Sequence, residues 1–245
     1  MLIQLIRNLF NGDYFSIVNI LMVVIVVLIS LSVHECAHGL AAYKLGDPTA
    51  KSMGRLSLNP KNHLDPVGTL MMLLFGFGWA KPVPINPNYF KNRKRGMAIT
   101  AFAGPLSNVL MAFLGVFAYH IIYTFAVGTV FTGYDVFWSG AGIARILGKS
   151  GFVVAALTLC FYFTNLNLSL AIFNLIPIPP LDGSRILNII LPEKYYFKVM
   201  QYERYIYLAV IFLLFTHLLD TPLSFLVNSI INGFSFLIGL IPGIL

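Results

Sequence analysis

From Tyr14 to Val33 the chain carries no charged side chain, and the run ends in His34-Glu35-Cys36-Ala37-His38. Such an apolar run is long enough to cross a bilayer as a helix. Two imidazoles and a carboxylate at that depth are costly in hydrocarbon, so they mark a functional site. Residues four apart share a helix face, which lets His34 and His38 turn one nitrogen each toward a single zinc ion. Glu35 stands beside them, where a general base for a metal-activated water belongs. The bland alternative is a pair of buried histidines hydrogen-bonded to neighbouring helices. It leaves the third ionisable group of the same turn unexplained.

Composition sets the class. The chain is 58% hydrophobic and 10% charged, against roughly 25% charged for a soluble domain. We expect an all-α polytopic membrane protein with about five to six transmembrane or re-entrant segments. A single domain over 1–245 is expected, with a catalytic core over about 14–190 and accessory helices over about 204–243. The net charge of +7 is read as membrane topology and not as nucleic-acid binding. Cys36 and Cys160 both lie in apolar segments, which argues against a disulfide or a thiolate metal site. The first apolar run holds the presumed ligands, so it is expected to stay uncleaved.

Helices are expected at about 14–43, 97–127, 150–175, 204–220 and 222–243, with a short amphipathic stretch over 2–10. Residues 66–80 are apolar but too short for a comfortable span, which favours a re-entrant or interfacial segment. If they re-enter, loops 44–65, 81–96 and 183–204 share one side and hold 13 of the 16 Lys and Arg. The positive-inside rule then makes that side cytoplasmic. The first helix and the 150–175 helix both run inward in this arrangement, and the active site lies toward the cytoplasmic side of a cell membrane. Lys81-Pro82-Val83-Pro84-Ile85-Asn86-Pro87 cannot be helical; a small membrane-associated extended or β element is expected there, able to pair with an unwound substrate.

A catalytic zinc site takes three protein ligands and leaves one position open. The candidates for the third are Asp13, Asp47, Asp65, Asp135, Asp182, Glu193, Glu203, Asp220, His63, His120 and His217. Asp182 stands out because Pro177, Pro179 and Pro180 stop the preceding helix and leave irregular backbone that can bend a carboxylate toward His34 and His38. Irregular backbone at membrane depth is tolerated only when buried or lining a wet cavity. A plain helix-ending Asp-Gly turn is the competing reading. His63 is expected to be an exposed turn histidine at the interface, and His120 and His217 interface or interhelical residues.

His34-Glu35-Cys36-Ala37-His38, with Gly104-Pro105-Leu106-Ser107-Asn108, Asn174, Pro177 and Leu181-Asp182-Gly183, resembles the site-2 protease family of intramembrane zinc metalloproteases, in its compact branch without PDZ or CBS domains. The resemblance covers about 30–190. It implies one Zn2+ held by His34, His38 and Asp182, with Glu35 as catalytic base. It also implies that Asn108 and Asn174 contact the substrate backbone; an interhelical hydrogen bond is the alternative for each. The implied substrate is a transmembrane protein segment in the lipid bilayer, unwound locally before cleavage. Two other classes compete: a metal-binding transporter or storage protein, and a membrane zinc protease acting on soluble or prenylated chains. A transporter has no need of Glu35 beside the metal, and the second protease type would take a helix-borne Glu as third ligand.

Overall fold

The computed structural model describes residues 14–75, 78–127, 150–191, 198–199, 201–216 and 218–240. The expected amphipathic stretch 2–10, His217 and the 129–149 connection lie outside them. Helix α1 spans Tyr14–Lys44, the apolar run together with its histidine turn. Val26, Ser30, His34 and His38 are buried, whereas Val18, Leu21, Ile25 and Ile29 are exposed. Spacings of three and four thus set a polar inner stripe against an apolar outer one, the inverse of a soluble helix.

Past a short helix α2 (Thr49–Ser52) and a 3-10 turn at Pro60–Asn62, helix α3 covers only Pro66–Phe75. Ten residues rise about 15 Å, half of a hydrocarbon core of about 30 Å. Its two flanks meet again: Leu64 and Ala80 form an antiparallel bridge, and the Lys81 N–H donates to the His63 carbonyl at 2.8 Å. The chain on either side of this short helix therefore lies close together.

Helix α4 (Arg93–Val127) is the centre of the bundle and packs against α1, α5 (Gly151–Leu175), α6 (Asp182–Leu187) and α8 (Asp220–Gly239). Its buried face reads Ala101, Asn108, Ala112, Val116, Tyr119 and Tyr123, small residues near the site and aromatics at the far end. Tyr119 and Tyr123 pack on Leu157, while Ala112 and Leu168 meet Val227 and Ile231 of α8. Helix α7 is shorter than expected, Glu203–Phe215. Among the described residues four helices, α1, α4, α5 and α8, are long and apolar enough to cross a membrane.

No β-strand forms among the described residues. Residues 81–86 are extended but unladdered, because Pro82 and Pro84 have no N–H to donate. Side chains hold this strap instead. The buried Arg55 guanidinium donates to the carbonyls of Asn62, Lys81 and Pro82. Asp47, fully buried, accepts from Asn86 N–H at 2.7 Å and from Thr49 N–H at 2.9 Å. His63 is not the exposed turn residue expected: it is 2% exposed, with Nε2 at 2.6 Å from the Ser57 carbonyl. The turn closes over it because its own carbonyl anchors Lys81.

Candidate active site

Three elements bring His34, His38 and Asp182 together. The two imidazoles leave α1 one helical turn apart. Asp182 opens α6, after α5 has stopped at Leu175 and Ile176–Leu181 has turned the chain back. Gly183 makes that return possible: a Cβ there would lie 2.3 Å from the Leu175 carbonyl oxygen and 2.5 Å from that of Ile176. Gly104 of α4 floors the site, since a Cβ on it would fall 2.4 Å from His38 Nε2. That contact is why a glycine stands in the middle of an apolar helix.

His34 Nε2 and His38 Nε2 are 3.0 Å apart, and Asp182 Oδ2 lies 3.2 Å from each. Four ligands placed tetrahedrally about 2.05 Å from an ion are about 3.3 Å from one another, so the three atoms nearly form one face of such a tetrahedron. Their chemistry fits too. His38 Nδ1 donates to the Thr100 carbonyl at 2.7 Å, and His34 Nδ1 to Asn108 Oδ1 at 2.5 Å. A neutral imidazole with its proton on Nδ1 presents a bare lone pair at Nε2. Two such lone pairs and a carboxylate oxygen then face each other, an arrangement that repels itself unless a cation lies among them. Both His are buried, and Asp182 is half-buried. Among the described residues this is the group of His, Cys, Asp or Glu placed to hold an ion. Cys36 and Cys160 are free and outside it.

Glu35 is half-buried next to His34, and its Oε2 accepts the Val83 N–H of the strap at 2.8 Å. One donor uses one of about four lone-pair sites on a carboxylate, so the group is oriented and keeps capacity for a proton. Asn108, fully buried, has both ends of its carboxamide engaged, the oxygen by His34 and Nδ2 by Asn167 Oδ1 at 2.7 Å. Asn174 is half-buried near the end of α5 and donates to the Leu170 carbonyl of its own helix. His120 is buried on α4 with Nδ1 at 3.1 Å from the Val116 carbonyl, far along the bundle from the site. Sequence reading passed over Asn167, Thr100 and Arg55. An uncharged amide in an apolar helix was a visible signal for Asn167, whereas Thr100 acts through its backbone and leaves none.

Two imidazoles and a carboxylate able to hold an ion, set among bilayer-length helices, fit a metal site of a membrane protein. The chain belongs to peptidase family M50, whose model matches residues 22–217. It is 38% identical over 204 residues to YwhC of Bacillus subtilis, a candidate zinc metalloprotease by its curated name, covering 82% of this chain and 81% of that protein. Rip2 of Mycolicibacterium smegmatis, named in the same terms, is 27% identical over 166 residues, or 64% of this chain and 52% of Rip2. Rip2 of Mycobacterium tuberculosis H37Rv is 26% identical over 161 residues, again covering 52% of that protein. No solved structure matches. The protein is accordingly an intramembrane zinc metalloprotease, and the transporter reading falls away.

Proposed function

We propose that the protein hydrolyses a peptide bond within or near a transmembrane segment of a membrane protein, with zinc held by His34, His38 and Asp182 and Glu35 acting as general base. The convergence of three lone-pair atoms within 3.2 Å of one another carries this reading. When bound, zinc supplies Lewis acidity, polarising the scissile carbonyl and acidifying water. Glu35 takes the proton from the attacking water and returns it to the departing amine. The Val83 N–H keeps the carboxylate aimed while it does so. Asn108 holds His34 and Asn167 and keeps a second lone pair and a second N–H; Asn174 is the other carboxamide that would meet an unwound substrate backbone.

The strap 81–86 runs beside Glu35, and an extended substrate would pair along the part of its backbone that Arg55 does not hold. The excess of Lys and Arg in the loops at this end of the bundle supports a cytoplasmic orientation in a cell membrane, and the reading takes 1–245 as a single catalytic domain with accessory C-terminal helices. Co-expression with a membrane-anchored reporter tests the role of the base. Glu35→Gln should retain zinc and lose cleavage, and cleavage at the wild-type rate would refute it.

A further inference from the structure

The two zinc-facing imidazoles are held in register by different means. His38 Nδ1 donates to a backbone carbonyl, Thr100 O. That oxygen only accepts and cannot turn over, so the tautomer is fixed. His34 Nδ1 meets the side-chain carboxamide of Asn108, and a carboxamide can flip. Flipped, Asn108 would present its NH2 to Nδ1, move the ring proton to Nε2 and point it at the metal.

Asn167 removes that choice. Its Nδ2 donates to the Phe163 carbonyl at 2.8 Å, an oxygen that cannot donate in return. Asn167 Oδ1 is therefore the atom facing Asn108, and it requires Asn108 Nδ2 opposite at 2.7 Å. Asn108 Oδ1 is left for His34. Asn108 and Asn167 are both fully buried, so water cannot substitute for either partner. The chain of amides runs from the backbone of α5 through α4 to the ligand on α1.

We propose that Asn167 is a positioning residue that sets the His34 tautomer through Asn108 and so fixes the zinc affinity of the site. The inference rests on the zinc-ligand reading above. Outer hydrogen-bond partners of metal-bound histidines are typically worth tenfold to a hundredfold in metal affinity.

The test is zinc binding by the purified full-length protein in detergent, in competition with a chromophoric chelator and with no substrate present. Asn167→Leu should weaken zinc binding at least tenfold, and Asn108→Ala should do so comparably. The double variant should bind no more weakly than Asn108→Ala alone, since the relay is already cut. Asn165→Leu, two positions away on another face of α5, should bind as wild type does. If Asn167→Leu does not purify folded, Asn167→Ser carries the same threshold. Zinc affinity within threefold of wild type in the folded variant overturns the proposal. So does a double variant losing the product of the two single effects, the signature of mere packing. Zinc binding that survives His34→Ala would instead sink the ligand reading itself.

Discussion

Replacing Gly104 by alanine adds one methyl group to the floor of the site. That Cβ would lie 2.4 Å from His38 Nε2, 2.5 Å from His38 Cε1 and 2.7 Å from His34 Cε1. Carbon contacts are comfortable at about 3.5–4.0 Å, so rings or helix must part by about 1 Å. The rings cannot yield freely. His38 is tied to Thr100 O at 2.7 Å, and a shift of about 1 Å carries that bond past its useful range of about 3.2 Å. Overpacking of this kind costs about 1–3 kcal/mol, equivalent to about fivefold to 150-fold in zinc affinity, and loss of the imidazole tethers adds to it. Helix propensity pulls the other way, since Gly→Ala inside a helix stabilises by about 1 kcal/mol. The signs therefore separate local propensity from site geometry. Zinc affinity by chelator competition, beside thermal unfolding, reads both. Gly233→Ala is the control, because nothing lies within 4 Å of a Cβ there; it should be neutral or stabilising. Wild-type zinc affinity in Gly104→Ala would refute the close approach.

Gly183→Ala should act from the other side: its Cβ meets backbone, the Leu175 and Ile176 carbonyl oxygens, so α6 must move and take Asp182 with it. We expect at least tenfold weaker zinc binding, measured in the same competition assay, with helical circular dichroism unchanged. Asp47→Ala strips the Asn86 and Thr49 N–H groups of their acceptor; buried donors left unmet cost about 1–3 kcal/mol each. Limited proteolysis should then cut faster within 81–90. Removing zinc with a chelator should abolish reporter cleavage, and re-addition of zinc should restore it.

Much of this site was legible before any coordinates, for a physical reason. In hydrocarbon each polar side chain is expensive, so His34, Glu35, His38, Asn108 and Asp182 stand out against apolar neighbours in a way they could not in a soluble helix. The proline cluster after Leu175 likewise announced a helix stop, and the structure turns there. Charge bias and short length together marked 66–80 as a re-entrant or interfacial segment, and the structure adds that its flanks meet at Leu64 and Ala80. What sequence could not supply was pairing between side chain and backbone. An extended run such as 81–87 reads as a β element, yet the donors that might build a ladder are spent on Glu35 and on the His63 carbonyl. His63 read as exposed because its neighbours are turn formers; its burial follows from the strap closing over it, a contact between distant segments. Asn108 read as a group facing substrate or another helix with equal ease; the structure adds its bonds to His34 and Asn167, which a sequence does not pair.

X-ray absorption at the zinc edge of the purified protein addresses the central claim most directly. Two imidazole nitrogens and a carboxylate oxygen should appear at about 2.0–2.2 Å, with one zinc per chain that is lost in Asp182→Ala. Sulfur scattering at about 2.3 Å, or full zinc occupancy without the Asp182 carboxylate, would contradict it.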